Sequence, residues 1–326
     1  MAQAREKMLQ KLEQAGQASS CYVPQSSTET RLLNRMTQDA VAVRPTPGLF
    51  AAKELWQTLN PAERAIHVIR GESTRRPGIA FCDVSAALVH GIDVPFHLLK
   101  CMHIAQSSAT PTRNTMAKTY HAIGNRATMK LEKIKVTSFW QSVLDCILAL
   151  PFVEALAIAD STLKVSGLDN REALDKLEAY VRDDVQTEKL MKVMESASPL
   201  SDNAGESMAR GMMLKLGIEE PLLQVQLNDP VERDRRPIVD FAWEDGEGGL
   251  ALIGELDGYQ KSQDERYMHG RDAAQVLADE RRRESRISAY GVPIMRFSLE
   301  EALDEDVFAA LLRAFHAPLA RDPPAI

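Results

Sequence analysis

RPIVDFAWEDGEGGLALIGELDG, residues 236–258, decides how this chain is read. Two apolar runs, 237–243 and 249–257, flank a segment rich in Gly, Asp and Glu, the pattern of two antiparallel strands joined by a turn. Side chains alternate along a strand, so Glu255 and Asp257 share one face. A hairpin centred near residue 247 sets Asp240 almost opposite Glu255. Three carboxylates then stand where a central sheet ordinarily holds apolar side chains, which is costly unless a cation or a proton sits among them. Hard oxygen donors at this density suit Mg²⁺ or Mn²⁺. Such ions activate water for phosphodiester hydrolysis. Lys261, just downstream, would orient that water or offset charge on the phosphate, and Glu206 on the preceding helix would complete the metal shell. Plainer readings stay open: Asp257-Gly258 as a turn, Glu206 and Arg210 as an i, i+4 surface pair, Lys261 as a loop lysine.

The surrounding elements extend this picture. A helix over 206–216 stopped by Gly217, a strand over 222–227, the two strands above, a helix over 271–290 ended by Gly291, a strand over 292–297 and a final helix within 299–315 follow in order. That αβββαβα sequence predicts a sheet flanked by helices. Upstream, residues 166–200 read as a helical connector, with one charged helix over 171–195 striped by Leu174, Leu177, Val181 and Val185.

The front of the chain reads differently. A helix over 3–15 precedes a shorter one, N-capped by Ser27 or Thr28, that carries Leu32, Leu33 and Met36 on one side and Arg31, Asn34, Arg35 and Gln38 on the other. Residues 40–51 form two short apolar strands about a Pro/Gly turn, with Arg44 on the hairpin. A small helix followed by a hairpin is the outline of a winged helix-turn-helix, in which Arg and Asn reach bases and phosphates; a solvated polar face is the plainer reading. Between 77 and 165 lie an Asp83-capped helix closed by Gly91, strands over 98–105 and 134–137, and two helices split by Pro151. His90, His97, His103 and His121 match no zinc spacing and fall on unlike elements, which reads as structural.

The chain has 326 residues, too many for one ordinary core. No apolar run spans a bilayer. The N-terminal MAQAREKMLQKLEQAG has no apolar signal core, and the cysteines at 21, 82, 101 and 146 form no CxxC pair, so a reduced, cytoplasmic setting is expected. Residues 1–165 hold 19 Lys+Arg against 13 Asp+Glu, whereas residues 201–326 hold 15 against 25. The acidic end disfavours tight DNA wrapping unless divalent cations neutralise some carboxylates.

Two resemblances sharpen these expectations. GESMARGMMLKLGIEEPLLQVQL (205–227), RPIVDFAW (236–243), IGELDGYQK (253–261) and ADERRRESRISAYGVPIMRFS (278–298) together resemble the endonuclease-like domain related to very-short-patch-repair nucleases, within the PD-(D/E)XK superfamily. That resemblance implies Asp240 as the metal-bridging aspartate, Glu255 as the acid of the next strand, Glu206 as the helix glutamate and Gln226 as the polar residue of the first strand. It also implies a Mg²⁺ or Mn²⁺ cofactor and products with a 5′-phosphate and a 3′-hydroxyl. The superfamily's lysine stands two residues after the acid; here that position is Asp257, and Lys261 follows in an E-x-D-G-x-x-K arrangement. RPTPGLFA (44–51), DVSAALVHGI (83–92) and VTSFWQSVLDCILALPFVEALAIADSTLK (136–164) resemble the AbiEi family, antitoxins that bind operator DNA through a winged helix. By that resemblance Arg31, Asn34, Arg35 and Arg44 contact DNA, and a cognate toxin or neighbouring-operon protein is a partner. The expected architecture is an α+β multi-domain chain: a winged helix over 1–75, an AbiEi-like unit over 76–165, a helical linker over 166–202 and a PD-(D/E)XK domain over 203–326. Its expected work is metal-dependent DNA cleavage in phage defence or DNA processing; the alternative is a non-enzymatic repressor with a degenerate nuclease fold.

Overall fold

A computed structural model describes residues 2–106, 114–115, 117–124, 126–232, 234–257 and 273–321. Helices and strands mix throughout, with the strands of the described residues in three sheets, and the chain divides into two compact units, Met1–Cys146 and Ile147–Ile326. Among the described residues no helix is long and apolar enough to cross a membrane.

The first unit opens with α1 (Ala2–Gln17) and α2 (Ser27–Gln38), followed by the hairpin β1 (Ala42–Thr46) and β2 (Leu49–Ala52). The cap of α2 is Ser26, one residue before the expected position: its hydroxyl accepts the Glu29 N–H at 3.1 Å. Leu33 and Met36 face inward, where they meet Met8, Leu12 and Phe50. The hairpin turn needs Gly48, whose φ of +84° suits a residue without Cβ. Helices α3 (Lys53–Thr58) and α4 (Pro61–Arg75) follow, the latter started by an Asn60–Glu63 capping box with proline at its first position.

The same unit holds a five-stranded mixed sheet, order β5-β4-β3-β7-β6, from β3 (Ala80–Phe81), β4 (Met102–Gln106), β5 (Lys118–Ala122), β6 (Thr128–Leu131) and β7 (Ile134–Thr137). Helix α5 (Asp83–Val89) follows β3 directly. The strand expected over 98–105 begins only at Met102, because Phe96–Lys100 forms a 3₁₀ turn after Pro95, whose ring fixes φ for a helical start. Helix α6 (Phe139–Ala149) runs across the boundary at Cys146.

In the second unit α7 (Phe152–Ser166) packs along α10 (Ala204–Lys215). Gly211 permits the close approach, since a Cβ there would lie 3.3 Å from the Val153 Cα. The single helix expected over 171–195 is two, α8 (Asn170–Glu178) and α9 (Asp184–Glu195). Asp183 accepts the Gln186 N–H at 2.9 Å and so caps a new helix, leaving Val185 exposed instead of continuing the stripe.

A four-stranded sheet forms the centre of this unit, order β11-β10-β9-β8, from β8 (Leu222–Gln226), β9 (Ile238–Glu244), β10 (Leu250–Asp257) and β11 (Ile294–Ser298). The β8–β9 and β9–β10 pairings are antiparallel, and β10–β11 is parallel. Leu252 pairs with Trp243, Ile253 with Ala242 and Gly254 with Phe241, and the next step in that register sets Glu255 opposite Asp240, as the spacing predicts. One face, with Leu252, Phe241, Trp243 and Phe297, buries Met208 and Met213 of α10 and Phe308 of α13 (Glu305–Ala314). The other, with Val239, Ala242 and Ile253, is covered by Ile287 of α11 (Ala273–Ile287). A short α12 (Leu299–Leu303) leads into α13.

Candidate functional site

Glu206 is the most constrained carboxylate of the second unit. Asn203 caps α10 by accepting the N–H groups of Gly205 and Glu206, and its own amide donates to Glu206 Oε1 at 2.8 Å. The Asp202 N–H (2.7 Å) and the Gln224 amide (2.8 Å) both donate to Oε2. Glu206 is only 4% exposed. Burial pushes its carboxyl up to about 7, helped by the charges of Asp240 and Asp202 and opposed by the Asp202 N–H and Gln224 hydrogen bonds.

Across the sheet, Asp240 accepts the Leu256 N–H at 2.9 Å. Glu255, buried, is gripped by Arg283 of α11, whose two terminal nitrogens donate at 3.0 and 2.8 Å; Arg283 also donates to the Ile238 carbonyl. Burial again raises the Glu255 carboxyl, with Arg283 working against that and Asp240 adding to it. Asp257 is paired with Arg296 of β11 at 2.6 Å, and Arg296 also lies 3.5 Å from Glu284. Glu255 thus turns toward α11, whereas Glu206 belongs to the helix on the opposite face. Among the described residues the four carboxylates do not close into a group with all ligand oxygens within 4.8 Å.

Gln226 is exposed at the end of β8, across from Ile238. The glutamine that reaches Glu206 is Gln224, at the level of Asp240, with φ at +50° in the left-handed region. A side-chain amide two residues earlier has no separate signature in the string LLQVQ. Lys261 lies outside the described residues. The i, i+4 pairing of Glu206 with Arg210 does not form. Arg210, 0% exposed, instead forks onto both oxygens of Asp160 at 2.8 and 2.9 Å and reaches Glu220 at 2.7 Å.

On the first unit, Arg31, Asn34, Arg35 and Arg44 are all exposed. Arg31 Nε donates to the Ser27 carbonyl at 3.3 Å, and the Arg44 guanidinium lies 5.9 Å from the Phe50 ring centre. Side chains one helical turn apart, Arg31 and Arg35, present a polar face opposite Leu33 and Met36.

A second cluster was not legible in the spacing. Paired strands β4 and β5 align His103 with Thr119 and Ala105 with His121, and the two histidine rings stack with centroids 5.0 Å apart. His103 Nδ1 and His121 Nε2 are 2.9 Å apart, and Asp83 Oδ2 lies 3.6 and 3.8 Å from them. These three residues are a possible metal-binding triad. The expected cap at Asp83 does not form: the N-cap of α5 is Cys82, without a side-chain cap bond, and Asp83 is the first helical residue, its Oδ1 accepting the Val84 N–H at 2.7 Å while Oδ2 faces the histidines. Burial lowers the His121 imidazole, against the charge of Asp83. His90, by contrast, bonds the Thr137 carbonyl at 2.8 Å, a structural contact. Comparison of the chain with protein-family models, with curated proteins and with solved structures returns no match.

Proposed function

We propose that the protein is a DNA-associated, divalent-metal-dependent phosphodiesterase, with a winged-helix and AbiEi-like front and a PD-(D/E)XK-type endonuclease domain behind it, working in phage defence or DNA processing. The observation that supports this best is the electrostatics about Asp240, whose charge raises both Glu206 and Glu255. Carboxylates that destabilise one another in a half-buried place are a common mark of a functional site. The donor set fits Mg²⁺ or Mn²⁺, because every candidate ligand is a hard carboxylate oxygen. Asp240 and Glu255 would hold the ion, with Glu206 on the opposite face within electrostatic reach of Asp240, and a bound ion would supply an activated water and neutralise charge at phosphorus. Burial, with the charge of Asp240, pushes the Glu206 carboxyl up to about 7, which suits it to a proton-transfer role. The exposed Arg31, Asn34, Arg35 and Arg44 are assigned to DNA contact, where guanidinium forks bind phosphates and guanine edges.

A second reading, a non-enzymatic DNA-binding regulator with a toxin or neighbouring-operon partner, is favoured by a different observation: Arg283 and Arg296 already neutralise Glu255 and Asp257. Under the first reading a divalent ion must displace Arg283 from Glu255, with its doubled charge and contacts of about 2.1 Å in its favour and its own dehydration against it.

The test is nicking of supercoiled plasmid with Mg²⁺ or Mn²⁺, with Asp240→Ala purified in parallel. Nicking lost only in the variant supports the hydrolase. No nicking in either protein, together with repression lost in Arg31→Ala/Arg35→Ala, supports the regulator.

A further inference from the structure

We infer that Asp83, His103 and His121 form a binding site for a divalent transition metal of the zinc class, with coordination positions left open for an oxygen ligand. The site lies in the first unit and is independent of the carboxylates assigned to phosphodiester hydrolysis.

Asp83 Oδ2, His103 Nδ1 and His121 Nε2 make a triangle with sides of 2.9, 3.6 and 3.8 Å. The point equidistant from all three lies about 2.0 Å from each, within the range of zinc–nitrogen and zinc–oxygen bonds. Two imidazoles with one carboxylate suit Zn²⁺ or Fe²⁺ better than Mg²⁺ or Ca²⁺, which prefer oxygen throughout.

Neighbouring groups aim these atoms inward. Cys101 Sγ lies 3.4 Å from His103 Nε2, which leaves Nδ1 as the nitrogen facing the triad. Asp83 Oδ1 is occupied by the Val84 N–H and by Cys146 Sγ at 3.5 Å, which leaves Oδ2. Outer partners of this kind fix the orientation of metal ligands. Asp83 also holds φ at +53°, a left-handed conformation uncommon outside glycine though better tolerated by aspartate than by most residues.

A hydrogen bond between the histidines accounts for less. It explains the 2.9 Å contact, whereas Asp83 Oδ2 at 3.6 and 3.8 Å lies within ion-pair range of both rings but beyond a well-formed hydrogen bond. A shared ion accounts for all three separations. Among the described residues three protein donors converge, and the His121 side chain is 34% exposed, so water or an oxyanion has access to the remaining positions.

The full-length protein, stripped with chelator, is titrated with Zn²⁺ in excess Mg²⁺, which occupies carboxylate sites but competes poorly for imidazole. One equivalent should bind, with affinity reduced at least about 100-fold in His121→Ala and in His103→Ala, and unchanged in Asp240→Ala. Equal binding by wild type and His121→Ala, or no stoichiometric uptake by wild type, overturns the assignment. Should the alanine variants fail to fold, Co²⁺ added to the wild-type protein decides: an intense visible d–d band supports the site, and a spectrum of hydrated cobalt overturns it.

Discussion

Arg283 donates from both terminal nitrogens to the two oxygens of Glu255, at 3.0 and 2.8 Å, from α11 onto β10. The pair occupies the place where the proposed function puts a metal ligand. Arg283→Gln removes the cation from a buried carboxylate and should destabilise the protein by about 1–3 kcal/mol, the partial exposure of Arg283 tempering the full cost of an unpaired buried charge. Added Mg²⁺ should restore much of that loss and should bind the variant more tightly than wild type. Thermal unfolding with and without Mg²⁺ measures both. An identical loss at every Mg²⁺ concentration would mean that Glu255 serves the arginine alone.

The Asp160–Arg210 fork predicts a larger effect. Burial raises the Asp160 carboxyl despite Arg210 and the Ser198 N–H, so the aspartate depends heavily on its partner. Arg210→Met should cost about 3–5 kcal/mol, whereas Asp160→Asn/Arg210→Met should cost less than the sum of its two single changes. Urea unfolding of the four proteins reads the coupling directly.

Glu206 predicts a pH dependence with a definite sign. Its folded-state carboxyl, near 7, lies above the ordinary 4.5, so the folded state holds the proton more tightly than the unfolded chain. Below pH 4.5 both states are protonated and nothing is lost. Between 4.5 and 7 stability falls, reaching a deficit of about 3 kcal/mol above pH 7. Glu206→Gln should therefore raise the melting temperature at pH 8 and change it little at pH 4.5. A gain that is the same at both pH values would mean the effect is packing and not charge.

Gly211 tests the seam between α7 and α10. Alanine there gains up to about 1 kcal/mol of helix propensity but needs its 3.3 Å neighbours to give by a few tenths of an ångström, so its net effect should be close to zero. Leucine cannot be accommodated against the Val153 backbone and should destabilise by about 2–3 kcal/mol. Calorimetry that finds Gly211→Leu as stable as wild type would show that the helices separate readily.

The acidic elements were legible because strand alternation and hairpin register are local properties. Residues 236–258 alone predict that Asp240 lies opposite Glu255 and that Glu255 shares a face with Asp257. Nothing local predicts that Arg283 and Arg296, 28 and 39 residues beyond Glu255 and Asp257, would take those carboxylates. The helix pitch placed Glu206 and Arg210 as neighbours, yet Arg210 found Asp160, 50 residues away, because a buried guanidinium needs a buried carboxylate.

What the sequence determined by itself is α1, α2 and the β1–β2 hairpin, the strand order β8 to β11 of the second unit, the α2 face bearing Arg31 and Arg35, and the β9–β10 pairing; α3, α4, β3, β5 and β6 were not read from it. Caps, prolines, glycines and apolar period act over a few residues, so a few residues suffice to read them. Tertiary structure alone decided that α7 lies on α10, that Gln224 and not Gln226 meets Glu206, and that Asp83, His103 and His121 face one another. Those three come from a helix start and two strands, and only the pairing of β4 with β5 beside β3 converts separations of 20 and 18 residues into a triangle less than 4 Å on each side.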